Sequence, residues 1–236
     1  MPSRKQALWI VCTLTNALAQ DVQQAQKPVP FIGYTLSFTG RVLGVDCAEW
    51  RLSENQENGD LVSTCEGYRL EISGAEDLNP RKVIDSTGKT IVEFKPYAPG
   101  LKFPLEVGTK WQAPYVAFTA YNGLVWDGAA ECESKAYETV TVKAGSFDAF
   151  RIECRDKWQI GSATGYTHST RWYAPEVAGV VKSIHREDPE RWNFELVRYG
   201  LDETPSSANR MQSAPAATGS FPGEAGLPPI LDPEDY

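Results

Sequence analysis

Between Tyr137 and Lys182, apolar and polar residues alternate over several successive runs. In an extended chain, Val140 and Val142 point to one side and the threonines beside them point to the other. The next run repeats this period of two, with apolar residues at alternate positions: Phe150, Ile152, Cys154, Trp158 and Ile160. Alternation of this kind is typical of β-strands that bury one face.

Turn-forming residues separate these runs. Gly145 lies in the first turn, at residues 143–146, where it is free to adopt a positive φ. Further turns are predicted at 161–165, at Pro175 and at 188–190. Strands joined by such short connections form an antiparallel meander. The stretch predicts strands at 139–142, 150–160, 166–173 and 179–184, and a fifth that carries Trp192, Phe194 and Leu196.

Two hairpin-rich halves, residues 31–95 and 103–199, are joined by a rigid link, Pro96-Tyr-Ala-Pro-Gly100. In the second half, Asn122-Gly123 is the strongest signal for a two-residue hairpin. No long segment has apolar residues at helical spacing. We therefore predict an all-β fold, an antiparallel meander that forms an open (half-)barrel or a two-sheet sandwich. Each half alone would have a thin core, so both are assigned to a single domain over residues 31–200.

The two ends of the chain differ from this domain. Residues 1–19 combine a positively charged start, a short apolar run and the small-x-small site Ala17-Leu18-Ala19, which is typical of a signal peptide cleaved after Ala19. Residues 20–30 form a polar lead-in. Residues 201–236 are rich in Pro, Ala, Ser and Gly, and we expect them to form a disordered tail. The protein is therefore predicted to be periplasmic or secreted.

Net charge narrows the classes of partner. The full chain carries −8 at pH 7, and loss of Arg4 and Lys5 with the signal peptide leaves −8 − 2 = −10. A chain this acidic lacks the basic surface that binds nucleic acid or an anionic membrane. Beyond the signal peptide, no segment is long and apolar enough to predict a transmembrane helix.

Four cysteines remain after the predicted cleavage, an even number that favours disulfide bonds in an exported chain. Three pairings are open. If residues 41–52 and 61–72 form a hairpin centred on Gln56, Cys47 lies directly opposite Cys65, at a distance that a disulfide accepts. The register therefore favours a Cys47–Cys65 bond.

That bond leaves Cys132 and Cys154 to pair with each other. A turn centred on Gly145 places Cys154 nearer to Tyr137, so Cys132 has to arrive from a preceding strand or a bend. The alternative is a four-cysteine metal site. Spacings of 18, 67 and 22 residues lack the close cysteine pairs of zinc modules, so no metal site is predicted.

Three segments carry a resemblance to known sequences: VTVKAGSFDAFRIE at 140–153, WYAPEVAGVVKS at 172–183 and FPLEVGTKW at 103–111. Together they resemble the pattern of the DUF3108-like and TapB-like families of bacterial envelope proteins, over Phe103 to Tyr199. The resemblance implies a secreted or periplasmic β-rich domain with no established activity and no catalytic residues to transfer. Ala178 departs from the pattern, which tends to run directly from Val into Gly.

Catalytic signatures are missing from the sequence. A Ser-His-Asp arrangement needs His168 or His185, the two histidines of the chain. His168 shares a strand face with Tyr166 and Trp172, whereas His185 lies beside charged residues near a turn, where we expect a solvated side chain. No nucleophile elbow, P-loop or zinc-protease motif occurs, so no catalytic residue, cofactor or enzymatic activity is predicted.

Aromatic residues are abundant in the second half and have two interpretations. They form a packed core, or they line a concave face that holds a hydrophobic ligand. For the second interpretation the candidate ligand-binding residues are Trp126, Trp158, Tyr166, His168 and Trp172. The predicted function is a non-enzymatic envelope protein that binds a hydrophobic or lipid-like molecule or a partner protein. The alternatives are an enzyme whose site the sequence does not expose, and a structural adaptor that docks through its tail.

Overall fold

The computed structural model describes residues 23–74, 77–120 and 123–201. In chain order these residues form strands β1 (Gln24–Ala25), β2 (Tyr34–Gly40), β3 (Glu49–Asn55), β4 (Leu61–Cys65), β5 (Tyr68–Ile72), β6 (Pro80–Ile84), β7 (Thr90–Lys95), β8 (Leu105–Glu106), β9 (Lys110–Thr119), β10 (Val125–Val142), β11 (Gly145–Ile160), β12 (Ala163–Ala174), β13 (Gly179–His185) and β14 (Phe194–Leu201), and helix α1 (Pro189–Trp192) before β14. The predicted all-β class is confirmed.

Twelve of the strands close into one antiparallel barrel. The order around the ring is β10, β11, β12, β13, β14, β2, β3, β4, β5, β6, β7 and β9, and β9 pairs again with β10. The open half-barrel and the sandwich of the prediction are wrong, because β14 pairs with β2 from Leu201–Tyr34 to Phe194–Gly40. This long-range pairing closes the ring, and it uses strands from both sides of the proline-rich link.

The long hairpin of β10 and β11 is the largest unit of the barrel, with strands of 18 and 16 residues. Its turn consists of Lys143 and Ala144, because Val142 and Gly145 already face each other as the last pair of the ladder. The predicted turn centred on Gly145 is therefore wrong. A second irregularity, a bulge between Ser134 and Ala136, also shifts the register.

Both predicted disulfides are present. With the turn at its observed place, Cys132 faces Cys154 directly across the hairpin, with 4.1 Å between the Cα atoms. Tyr137, which was expected opposite Cys154, faces Phe150 instead. Cys47 bonds to Cys65 as predicted, with Cα atoms 6.2 Å apart, although Cys47 precedes β3 and lies outside the ladder assumed for it.

The long hairpin places side chains from opposite faces into two buried clusters, while part of its outer face stays exposed. On the inner face, Phe150 and Ile152 pack with Tyr173 and with Leu105. At the distal end, the opposite face packs into the main core of the barrel through Val140, Val142, Phe147 and Ala149. The Phe147 ring contacts the ring of Tyr199 in β14 at 5.6 Å between centroids. The hairpin therefore joins the two clusters.

The seam between β13 and β14 is the weakest part of the ring, since these strands pair at two positions. The tip of the long hairpin supports the seam: the backbone N–H of Ala144 donates to the carbonyl oxygen of Leu196, at 3.1 Å. The segment before β14 is helix α1, capped by the Asp188 side chain. Trp192 ends that helix, so the predicted strand that included it begins two residues later, at Phe194. The acceptor at the cap and Pro189 at the first turn explain this helical start.

A segment of loop, residues 98–105, lies against the inner face of the barrel. Asn79 holds it with two hydrogen bonds: its Nδ2 donates to the Leu101 carbonyl at 2.9 Å and its Oδ1 accepts from the Leu101 N–H at 2.8 Å. The Arg171 guanidinium donates to the carbonyl oxygen of Pro99 at 3.1 Å. Behind it, β8 pairs with β1, and Leu105 is fully buried. This inner segment packs against the buried cluster around Phe150.

Some predictions fall outside the described residues: the signal peptide at 1–19, the tail predicted at 201–236 except for Leu201, which ends β14, and Asn122 of the predicted two-residue hairpin. On either side of Asn122, β9 and β10 do pair as antiparallel neighbours. Within the described ranges, no helix has the length and apolar character needed to cross a membrane.

Candidate functional site

An open groove of about 640 Å³ runs over the outer face of β9, β10, β11 and β12. Its floor is built from two parallel rows of outward side chains, one residue from each strand, separated by a row that points inward. Alternate residues of a strand face opposite sides of a sheet, so both rows follow directly from the register of the four strands. The inward row beneath the floor includes the Cys132–Cys154 disulfide.

The first row, here called the paired row, consists of Lys110, Glu133, Glu153 and Thr170. Its charges are neutralised within the protein. Glu133 accepts from Lys135 Nζ at 2.5 Å and lies 3.7 Å from Lys110 Nζ. The hydrogen bond from Lys135 holds the pKa of Glu133 below its usual value. Glu153, which faces Glu133 across the strands, pairs with Arg151.

The second row, here called the open row, consists of Gln112, Glu131, Arg155, His168 and Arg186. Arg186 follows β13 and joins the row because its N–H donates to the His168 carbonyl oxygen at 3.1 Å. Within the described residues, Glu131, Arg155 and Arg186 form no ion pair. The open row therefore carries three charges that solvent, or a ligand, has to satisfy.

His168 is fixed in the middle of the open row by Glu187. The two Glu187 carboxylate oxygens accept hydrogen bonds from the backbone N–H of His168 at 2.8 Å and from its Nδ1 at 2.7 Å. Partial burial acts to raise the pKa of Glu187, but the bonds from His168 outweigh it and hold the pKa below its usual value. The Glu187 carboxylate is thus engaged by His168 and forms no ion pair with the neighbouring Arg186 among the described residues.

Arg155 is held by an aromatic ring rather than by a carboxylate. Its guanidinium carbon lies 3.8 Å above the centre of the Tyr166 ring. Glu131 faces Arg155 directly across the ladder, yet the two side chains form no ion pair. A cation over an aromatic face is stabilised while its N–H groups stay available at the edge. The guanidinium is therefore oriented before any ligand arrives.

On the inner face of the same strands, charged groups are partly buried. Tyr115 donates a hydrogen bond to Asp156, and a side chain at Gly128 would collide with the Tyr115 ring. Burial raises the pKa of both Tyr115 and Asp156. Burial also lowers the pKa of Arg171, an effect that the nearby Asp156 carboxylate opposes. This inner network ties the strands to the inner segment through Pro99.

His185 belongs to the same inner network. Burial, together with the positive charge of Arg171, lowers the pKa of His185 to about 3. Its ring lies 5.8 Å from the Trp192 ring, and its backbone N–H donates to the Asn193 side chain at 2.6 Å. His185 is therefore neutral at ordinary pH and is not the solvated residue that the sequence suggested.

The five predicted ligand-binding residues do not come together. Trp126 and Trp158 lie on the inner face, where Trp126 packs edge-on against Phe94 at 6.4 Å and the Trp158 ring covers Gly165. Tyr166, His168 and Trp172 lie on the outer face of β12. His168 lines the groove, whereas Trp172 donates from Nε1 to Glu138 at 3.0 Å, outside it. Ligand binding by these residues stays a prediction.

The groove has the chemistry of a recognition surface. It presents oriented charges and the amide group of Gln112, and among the described residues no side-chain hydrogen bond joins His168 to Ser169 or Thr170. Among the described residues, no three His, Cys, Asp or Glu side chains are grouped so that they could hold a metal ion.

Arg155 and Arg186 were not identified from the sequence. Each is a lone charge at an outward position, which ordinarily marks a solvated face. Both could have been found from their position beside His168 on neighbouring strands. That position can be derived only when the pairing registers of three consecutive strands are known.

Comparison with known proteins gives similar folds at low identity. No family model matches the chain, and no curated protein matches it. The resemblance to the DUF3108-like and TapB-like families therefore stays a prediction.

Three solved structures are similar. A protein from Bacteroides fragilis, described as exported and as having a YmcC-like fold, is 14% identical with a TM-score of 0.45, over 75% of this chain and 99% of that one. A protein from Parabacteroides distasonis, described as a lipoprotein, is 12% identical with a TM-score of 0.42, over 72% and 96%. The hypothetical lipoprotein YmcC of Escherichia coli is 8% identical with a TM-score of 0.46, over 74% and 90%. At these values the likenesses carry no conclusion about the function of this chain.

Proposed function

We propose that this chain is an exported, non-enzymatic binding protein whose outer groove holds an extended segment of a partner protein. The observation that carries the proposal is the contrast between the two rows of the groove floor. The paired row is neutralised by Lys135, Lys110 and Arg151, whereas the open row leaves Glu131, Arg155 and Arg186 without an ion pair in the described part of the chain. Charges exposed in this way offer specificity to a polar partner.

Export is supported by features of the chain itself. Residues 1–19 have the pattern of a cleaved signal peptide. Disulfides persist in oxidising compartments such as the periplasm or the exterior of the cell. Two disulfide bonds cross-link this chain. Both observations favour an envelope or secreted location.

The dimensions of the open row suit an extended chain. From Gln112 to Arg186 the row crosses four strand-to-strand intervals, which is about 19 Å at roughly 4.8 Å each. A strand-like segment rises about 3.3 Å per residue, so about six residues of a partner span the row. The groove is open and polar, and it does not have the enclosed apolar lining that a lipid-like ligand needs.

Within the described residues, side chains of the protein itself fill much of the inner face, where a hydrophobic molecule would have to bind. Trp126 and Trp158 pack within the barrel, and Leu101, Phe103 and Leu105 of the inner segment occupy the space beside Phe150. Of the two ligand classes predicted from the sequence, these contacts favour the protein partner.

A site-specific photo-crosslinker tests this proposal. We expect a crosslinker at Gln112, on the open row, to give an adduct of defined mass in the native host, with the attachment mapped to one segment of one partner. The same crosslinker at Lys89, exposed on the β6–β7 turn, is the matched control and should not give that adduct. Adducts of equal yield and composition at both positions would contradict the proposal.

A further inference from the structure

Two arginines bracket His168 in the open row. Arg155 faces His168 across the β11–β12 ladder, and Arg186 is joined to the other side of His168 through its backbone N–H. Both side chains are exposed and line the groove. Two strand intervals separate them, which is about 10 Å between backbones. Long arginine side chains on such a frame can converge on one ligand group or hold two neighbouring ones.

Among the described residues, the carboxylates nearest in the sheet to these arginines form no ion pair with them. Glu187 lies next to Arg186 in sequence, but both of its oxygens accept hydrogen bonds from His168. Glu131 faces Arg155 but does not pair with it. Glu153, in the paired row, is held by Arg151. Arg155 and Arg186 carry two positive charges against the one negative charge of Glu187, so the β12 end of the open row has a positive surplus, in a protein whose net charge is −8.

Arg155 is also pre-organised for a planar anion. Stacking on Tyr166 fixes the plane of the guanidinium and leaves its N–H edge free. A guanidinium edge matches the two oxygens of a carboxylate, and a bidentate pair of this kind is both stronger and more directional than a lysine contact.

We infer that Arg155 and Arg186 form a carboxylate-recognition subsite, which selects partner segments that carry Asp or Glu side chains. This inference rests on the proposed function, since it names the chemistry of the segment that the groove takes. Glu131 lies beside the subsite and repels an acidic segment, so it limits affinity rather than adding to it.

The test uses the mature protein and two fluorescent ten-residue peptides, one with two glutamates separated by two residues and one with glutamines in their place. We expect the glutamate peptide to bind at least about tenfold more tightly at low salt, because charge-assisted hydrogen bonds are lost with the amide. Arg155→Ala and Arg186→Ala should each remove most of that preference. Arg155→Lys keeps the charge but not the planar fork, and should restore it only in part.

Lys157→Ala is the matched control. Lys157 is an exposed cation on the same face of β11, two residues from Arg155, and does not line the groove. It should leave the preference within about twofold, since a rim charge acts mainly through screened, long-range attraction. Glu131→Gln should tighten binding of the glutamate peptide severalfold, a gain that a purely structural role for these residues does not produce.

Equal binding of the two peptides, or an equal loss with Lys157→Ala and Arg155→Ala, would overturn the inference. Inorganic phosphate as a competitor distinguishes ligand chemistry: displacement of the glutamate peptide by phosphate at concentrations where acetate has no effect would replace the carboxylate with a phosphate group and also overturn it. The crosslinking experiment at Gln112 reports separately on the proposed function. A mapped partner segment without acidic residues leaves the groove as a binding site and rejects the carboxylate subsite.

Discussion

Arg171 and Arg155 lie on adjacent strands of the same sheet, but they face opposite sides of it. On the inner face, Arg171 is partly buried, donates to the carbonyl oxygen of Pro99 and feels the charge of the Asp156 carboxylate. On the outer face, Arg155 is exposed and rests on Tyr166 without a carboxylate partner. A charge removed from water has to be balanced by the protein, whereas one that stays in water can be left for a ligand. The comparison separates arginines that hold the fold from those available for binding.

The largest expected effect is that of Arg171→Met. It removes the positive charge that favours the ionised form of Asp156 and leaves the Pro99 carbonyl without this donor, so we expect the free energy of unfolding to fall by about 3–5 kcal/mol. Urea denaturation at neutral pH with the disulfides intact measures it. Adding Asp156→Asn should recover part of the loss, because the stranded charge is then removed. A loss of unfolding free energy below about 1 kcal/mol would contradict the prediction that Arg171 stabilises the inner network.

Loss of a disulfide comes next. The double variant Cys132→Ala with Cys154→Ala should lower the free energy of unfolding by about 3 kcal/mol, because the bond restricts the unfolded chain across 22 residues. The Cys47–Cys65 bond spans a similar separation of 18 residues, so the variant Cys47→Ser with Cys65→Ser should lower the free energy of unfolding by about as much. Melting temperatures in the absence of reductant provide the measurement. If the first variant also abolishes peptide binding while remaining folded, the groove depends on the bond beneath it.

Acid should act through the inner face. His185 has a folded pKa of about 3 against about 6.5 when unfolded, so the unfolded chain takes up a proton first as pH falls. The contribution of the neutral ring to the free energy of unfolding is complete above the pKa of His185 in the unfolded chain. It is lost as the pH falls below that pKa, by roughly 2–3 kcal/mol between about pH 7 and about pH 4.5. The raised pKa of Asp156 works in the opposite sense, since the folded protein binds that proton more readily.

Comparison with His185→Asn isolates the histidine contribution. The variant retains Asp156 and every groove residue but has no ring to protonate. We expect its unfolding free energy to depend less steeply on pH over the same window, as measured by urea denaturation at a series of pH values. If the free energy of unfolding depends on pH equally steeply in the two proteins, His185 does not contribute to the loss of stability in acid.

The smallest expected effect is that of Arg155→Met, the outer counterpart of Arg171→Met. Exposed charges contribute little to stability, so the unfolding free energy should change by less than about 0.5 kcal/mol. Urea denaturation of the two variants under identical conditions provides the direct comparison. If Arg155→Met lowers the free energy of unfolding as much as Arg171→Met does, the outer arginine also stabilises the fold and the proposed difference between the two faces is wrong.

The sequence predicted the strands of the second half because Phe150, Ile152 and Cys154 mark one face without interruption. It misplaced the turn at Gly145 because glycine suits a turn as well as the first residue of β11, and the bulge after Ser134 leaves no trace in the pattern. Closure of the barrel was not predicted, because the pairing of β14 with β2 joins residues about 160 positions apart and depends on all strands between them. The groove was missed for a related reason: its open row exists only when several registers are fixed together.

The pairing of β2 with β14 also sets an order of events for a chain that is made, or passed through a membrane, from its first residue to its last. β2 is among the earliest of the described strands to emerge, yet its partner β14 is the last of them, and Thr35 cannot reach the carbonyl of Gly200 before β14 has emerged. Until that moment one side of β2 is an uncovered strand edge, open to pairing with another molecule. A barrel closed by this pairing therefore needs the β2 edge to be protected until β14 is in place, either by a chaperone or by rapid folding.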